Sequence, residues 1–210
     1  VKYVTGEWCR DRERFADRLY CSEDTFAVAD GMGIGVGGRM AAEKAVELID
    51  EYRPFATIQE LSLFFKEANL KIMEEIAKLG DREVAGTTLS LVSFIDGEYL
   101  LGHVGDSRIY LLRKGKLLLL TEDQITYRNG KKYVSALGID WKVDVFLSQG
   151  TVMKGDIFLL MSDGAVNVLG EEEILSVLGE DIELSAQRLL KVYVDKDPSE
   201  DLSFAIVMPD

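Results

Sequence analysis

Histidine is almost missing from this sequence: among 210 residues only His103 is one. A zinc or di-iron centre built on several imidazoles is therefore excluded, as is any mechanism that needs two of them. If a metal is held, its ligands are mostly oxygens, which is the chemistry of hard ions such as Mg²⁺ or Mn²⁺. Cysteine is scarce as well, and Cys9 and Cys21 form neither a disulfide framework nor a zinc-spaced set. No apolar run approaches the ~20 residues that a membrane helix needs. No signal-peptide pattern opens the chain, where Val1-Lys2-Tyr3 runs into polar sequence. A cytoplasmic protein with no membrane partner is expected. Bases are outnumbered, 24 Lys and Arg against 37 Asp and Glu, leaving a net charge of −13. That balance argues against nucleic acid as a partner, because phosphate contacts need clustered basic side chains. The acid excess serves solubility, or else some of the carboxylates gather around cations.

What is present is a core: 47% of the residues are hydrophobic, enough for one domain spanning 1–210. Residues 25–29 (TFAVA) read as a buried strand ending at Asp30, and 31–38 as irregular. Ala42, Ala45, Val46 and Ile49 recur at helical spacing over 39–52, before Pro54. A second helix is expected over 57–79, stopped by Gly80. The period then changes. From Gly86 to Leu120 the chain is a series of β runs broken at Asp96-Gly97, Gly105-Asp106 and Lys114-Gly115, read as three or four antiparallel strands. Residues 121–142 look like a polar connection. Strands at 143–148 and 156–161, helices at about 171–178 and 183–195, and a strand at 202–208 complete the pattern. Helices cluster instead of alternating with strands, so the fold class is α+β in layers and not a doubly wound parallel sheet.

The segment TFAVADGMGIGVGG (25–38) contains G-x-G-x-x-G at Gly33–Gly38, after a strand and before a helix. Dinucleotide binding would need a second parallel strand after that helix, with an acid at its tip; Pro54 and another helix follow instead. No G-K-[ST] follows either, which rules out a Walker loop. The alternative makes Asp30 the centre, with the glycines giving it room and Gly31 offering an uncrowded backbone carbonyl to a metal. Other acids stand at strand tips in the same manner: Asp17 before the first strong strand, Asp106 after YLLGHVG, Asp163 after DIFLLMS, and Glu200-Asp201 before the last strand. His103, inside a strand, reads as packing.

These residues also carry a resemblance. R12-x-x-x-x-D17, ADGMGxxxxG (29–38), GTT (86–88), GHVGDSRIY (102–110), SALG (135–138) and GDIFLLMSDG (155–164) are similar, in order and over nearly the whole chain, to the elements of the metal-dependent type 2C Ser/Thr protein phosphatases. The resemblance implies a four-layer αββα sandwich, two mainly antiparallel sheets flanked by helices. It implies two Mn²⁺ or Mg²⁺ ions, with a third, weaker one. Asp30 would bridge, the Gly31 carbonyl would serve one ion, and Asp163 with the last-strand acid the other. Asp17 would act through metal-bound water, Asp106 would ligate the third ion, and Arg12 would grip the substrate phosphate. The implied activity is hydrolysis of phosphoserine and phosphothreonine in proteins by a metal-activated water, in a monomer whose partner is a phosphoprotein. The chemistry suits the residues: paired cations supply hydroxide at neutral pH, and a guanidinium forks onto phosphate oxygens. The chain also departs from the family. Phe15-Ala16 replaces Asn-Glu, the closing Asp-Asn is Glu200-Asp201 with either acid in ligand position, and 121–142 is shorter than the usual flap, which implies an open site. Phe15-Ala16 and Glu200 also motivate a second expectation, a catalytically weakened module that binds phosphoproteins.

Overall fold

The middle strands explain the architecture, because they are buried on both faces. In the computed structural model, which describes residues 1–33, 35–80 and 84–209, every residue of Thr25–Ala29 is buried. Phe26 and Val28 point to one side, into a core shared with Val92, Leu101, Ile109, Phe158 and Val207. Ala27 and Ala29 point to the other, beneath helices. Period-2 alternation then vanishes from the sequence, since both faces of the strand are apolar.

The described residues form fourteen strands and five helices. The first half runs β1 (Lys2–Trp8), β2 (Arg18–Cys21), β3 (Thr25–Ala29), β4 (Gly31–Gly33), α1 (Gly37–Tyr52), α2 (Ile58–Ala77), β5 (Ala85–Thr87), β6 (Leu89–Ile95) and β7 (Glu98–Val104). The second half runs β8 (Arg108–Arg113), β9 (Lys116–Leu119), β10 (Ile125–Arg128), β11 (Lys131–Val134), β12 (Phe146–Thr151), β13 (Ile157–Met161), α3 (Asp163–Val168), α4 (Glu171–Val177), α5 (Ile182–Asp195) and β14 (Leu202–Met208). One five-stranded sheet has the order β1-β14-β13-β8-β9 and the other β12-β7-β6-β3-β2, all pairs antiparallel. Helices α1 and α2 cover the outer face of the second sheet. Helices α3, α4 and α5 cover the outer face of the first. The result is the expected αββα sandwich.

The departures from the sequence reading are local. Residues 31–33 are not irregular but pair with β5, from Gly31↔Thr87 to Gly33↔Ala85. The stretch 86–120 belongs to five strands, not three or four. The connection 121–142 contains a hairpin, β10–β11, whose turn residues Asn129 and Gly130 have φ of 51° and 75°. That Asn-Gly is a strong hairpin signal, and it stood unread in the sequence. Strands β1 and β2 were also unread: β1 is mostly polar and exposed along one edge of its sheet.

The buried Asn69 ties α2 to the loop after β11. Its Nδ2 donates to the Asp140 carbonyl at 2.8 Å, and its Oδ1 accepts from the Gly138 N–H at 2.8 Å. Asn69→Leu leaves both backbone groups unpaired, and a lost buried partner costs about 1–3 kcal/mol. The variant should lose roughly 2–4 kcal/mol of stability in urea unfolding with an unchanged slope. A loss under about 0.5 kcal/mol would show that water replaces the amide.

Candidate metal centre

Antiparallel pairing brings the acids to one end of the sandwich. Asp30 leaves the end of β3, opposite the start of β2 that follows Asp17, in the register Arg18↔Ala29. Asp163 leaves the end of β13, opposite the start of β14 that follows Glu200-Asp201, in the register Met161↔Phe204. Asp106 precedes β8, which pairs Arg108↔Met161. A cleft of about 510 Å³ opens there, and Asp17, Asp30, Gly31, Asp106, Asp163, Glu200 and Asp201 all line it.

Backbone contacts fix the floor of this cleft. The Asp30 N–H donates to Thr88 Oγ1 at 3.1 Å, the Thr88 N–H returns to the Asp30 carbonyl at 2.9 Å, and the Thr88 hydroxyl lies 2.9 Å from that of Ser107. A Cβ on Gly31 would stand 2.2 Å from the Gly38 carbonyl oxygen, and one on Gly38 would stand 2.8 Å from Met32 N. These glycines therefore let α1 sit directly against β4. The room that Gly31 and Gly38 create is taken up by the packing of the helix on the strand. A Cβ on Gly164 would meet the Asp201 carbonyl oxygen at 1.8 Å, so the Asp163 turn is pressed onto the last acid pair. His103 lies behind the site as a packed and satisfied group. Its Nδ1 is 2.7 Å from the Ser90 hydroxyl, and Nε2 is 3.0 and 3.1 Å from the carbonyls of Gly105 and Glu122. Burial lowers its pKa, so it is neutral and holds Gly105 in place beside Asp106.

The electrostatics are those of carboxylates crowded together. Burial, and then the charges of Asp17 and Asp163, push the Asp30 carboxyl well above its usual range. Burial also raises Asp163, with Asp106 and Glu200 adding to it. Asp17 rises from 3.8 to about 6, chiefly through burial, partly offset by the hydroxyls of Ser162 and Ser203. Asp17 Oδ2 is buried and has no hydrogen-bond partner. Among the described residues, no three Asp, Glu, His or Cys converge on one point closely enough to cage an ion by themselves. An orphaned buried oxygen among repelling acids, with the rest of the shell left open, fits Mn²⁺ or Mg²⁺, ions that keep several waters beside one or two carboxylates. Zinc, which prefers nitrogen and sulfur, does not suit this donor set.

Three positive groups border the acids. Lys132, on β11, reaches in from the hairpin and places Nζ 2.8 Å from Asp106 Oδ2. The sequence reading missed it, because the Asn-Gly turn that delivers it went unread. Arg10 and Arg14 line the acid cleft, and the Arg10 N–H donates to Asp201 Oδ1 at 3.2 Å. Asn167 Nδ2 joins Glu200 Oε2 at 2.8 Å and Asp163 Oδ2 at 3.4 Å. Glu200 is thus tied to Asp163, while Asp201 faces the loop that carries Arg10. Arg12 lines a neighbouring cleft, not the acid one. It pairs with Glu7 at 2.5 Å and lies over the ring of Phe15, 5.2 Å from its centroid. Phe15 is buried and serves as the platform for Arg12.

The protein phosphatase 2C family profile matches residues 2–197. The serine/threonine protein phosphatase PstP of Mycobacterium tuberculosis is 29% identical over 197 residues, covering 84% of this chain and 38% of that protein. The serine/threonine phosphatase stp of Listeria monocytogenes is 30% identical over 176 residues, covering 72% and 70%. The chain thus spans well under half of the mycobacterial relative. Among solved structures, the catalytic domain of PstP in complex with two manganese ions superposes with a TM-score of 0.87 at 25% identity, covering 98% of this chain and 96% of that one. A second PstP/Ppp crystal structure from M. tuberculosis gives 0.88 at 24% identity, covering 98% and 97%.

The buried charge of Asp17 carries a sign. A carboxyl whose folded pKa is raised favours folding at low pH and loses that contribution as pH climbs through about 6. In EDTA, Asp17→Asn should therefore gain stability relative to the unsubstituted protein between about pH 4 and pH 7, on the order of 2 kcal/mol. Urea unfolding at both pH values measures the gain. A difference that does not change with pH would remove the account of Asp17 as a buried, uncompensated charge.

Proposed function

The chain belongs to the protein phosphatase 2C family, and from that premise we propose that residues 1–210 act as one metal-dependent phosphatase domain that hydrolyses phosphoserine and phosphothreonine in proteins. The observation that carries the proposal is the orphaned Asp17 Oδ2 among the raised carboxyls of Asp30 and Asp163. Asp30, the Gly31 carbonyl and Asp17 would hold one Mn²⁺ or Mg²⁺, and Asp30 with Asp163 and the Glu200-Asp201 pair a second. Asp106 would take a third in place of the Lys132 ammonium. Bound there, the ions supply hydroxide at neutral pH and neutralise charge on a phosphate monoester.

The protein's own groups orient the rest. Thr88, itself held by Ser107, fixes the Asp30 backbone from which the metal-binding carboxylate would extend. Asn167 keeps Glu200 and Asp163 side by side. Arg12 would bind the substrate phosphate. Its ion pair with Glu7 is 71% and 47% exposed, and exposed pairs of this kind hold weakly, so a dianionic phosphate would displace Glu7 at little cost. Asp17 lines both clefts, which puts Arg12 beside the acids, close enough for its charge to favour the ionised Asp201. Arg10 and Arg14 add positive potential at the acid cleft itself. Among the described residues no helix is long and apolar enough to cross a membrane.

A phosphothreonine peptide assayed with Mn²⁺ should be hydrolysed, and EDTA should abolish the reaction. Asp30→Asn should lose at least about 10³-fold in kcat/KM, the equivalent of roughly 4 kcal/mol of barrier. Mn²⁺ should also raise the melting temperature by several degrees in the unsubstituted protein and not in Asp30→Asn. Hydrolysis that survives EDTA would overturn the proposal. So would an equal Mn²⁺ shift in both proteins.

A further inference from the structure

Beside the acid cleft lies one of opposite character. Its volume is about 670 Å³, and it runs between β1, the loop before β2, and the first turn of α1. Arg12, Arg18 and Arg39 face it, against Glu7 and Asp17. In a chain of net charge −13, three guanidinium groups in one cleft are a local reversal of sign. Two of them are engaged: Arg12 with Glu7, and Arg18 with Glu43, each at 2.5 Å. Arg39 is half-buried and has no hydrogen bond or ion pair with any described residue. Its natural partner would be Glu43, one turn further along α1, but the Arg18 bridge takes that carboxylate. Arg39 is thus a guanidinium held at a cleft wall with its donors unspent, and such donors match carboxylate and phosphate geometry.

We propose that this cleft is a substrate subsite for an anionic side chain, a carboxylate or a second phosphoryl group, on a residue flanking the phosphoserine or phosphothreonine, and that Arg39 is the residue that selects it. The proposal rests on the phosphatase function of the neighbouring acids. The two clefts share Asp17 in their walls, so one extended peptide, advancing about 3.3 Å per residue, enters both within a few residues of its phosphorylated position. A phosphoryl group bound at Arg39 is held and not cleaved, because the metal-binding acids other than Asp17 lie in the other cleft. Arg12 stands at the border and serves the scissile phosphate. Arg39, on a separate element, serves the flank.

Three phosphothreonine peptides test this: one with neutral flanks, one with a flanking glutamate, one with a flanking phosphoserine. With Mn²⁺ present, kcat/KM for the two anionic-flank peptides should exceed that of the neutral one by about tenfold, the worth of one charge-assisted contact. Arg39→Gln should bring that ratio close to one. Arg39→Glu should invert it, and Arg39→Lys should restore part of it. A preference for the phosphoserine peptide alone identifies phosphoryl as the ligand, and one shared with glutamate identifies any anion. Equal kcat/KM for the three peptides, or an unchanged ratio in Arg39→Glu, overturns the subsite. Calorimetric binding of the same peptides, with Asp30→Asn as the background, separates the two levels. If no peptide is hydrolysed by the unsubstituted protein, the phosphatase function fails. The subsite then stands if the anionic peptides bind tighter and lose that advantage on Arg39→Glu, and it falls if all three bind alike.

Discussion

Mutual repulsion among carboxylates is the constraint around which one end of this molecule is organised. Asp17, Asp30 and Asp163 come from different strand ends; burial makes each costly to ionise, and the charges of Asp17 and Asp163 add to the cost at Asp30. Nothing local holds them together. They stay together because β3, β13 and β14 are buried on both faces and cannot shift without opening the core between the sheets. Hydrophobic burial in the middle of the sandwich thus sustains an unfavourable arrangement at its end, and a divalent cation is the natural means of relieving it.

The surroundings distribute positive charge around that arrangement with some economy. Lys132 meets Asp106 at one side; at the other the Arg10 backbone N–H reaches Asp201 while its guanidinium pairs with Asp197. Arg12 is drawn off by Glu7 and Phe15 into the adjoining cleft. The short loop before β2 therefore separates two surfaces of opposite sign, with Arg10 and Arg14 facing one and Arg12 the other. A phosphorylated substrate needs both kinds of surface. Cations held by acids serve the scissile group, and guanidinium groups serve the remaining negative charge.

The layer architecture was legible in the sequence, because runs such as TFAVA and IFLLM can only be strands buried on both faces, and helices that cluster cannot build a doubly wound sheet. The acids were legible as well, since each sits where a strand stops or starts. The polar β1 was not, because an exposed edge strand has no apolar pattern to announce it. The β10–β11 hairpin was hidden among charged residues, although Asn129-Gly130 marks its turn, and Lys132 was missed with it. The glycines of 31–38 read in the sequence as room for Asp30; the structure adds that Gly31 and Gly38 are also what lets α1 pack against β4.

By itself the sequence determined the donor chemistry: one histidine, two cysteines and an acid at the tip of strand after strand leave oxygen ligands and hard cations. It determined the layers too, since apolar periodicity is a local property of the chain. Only the tertiary structure decided which charges meet. That Arg12 turns to Glu7, that Lys132 reaches Asp106, and that Glu43 goes to Arg18 and leaves Arg39 unpaired are outcomes of contacts between residues 5 to 26 positions apart. Charged side chains carry no periodic signature of their partners, and their pairing is settled only when strand register and helix packing bring them within a few ångströms.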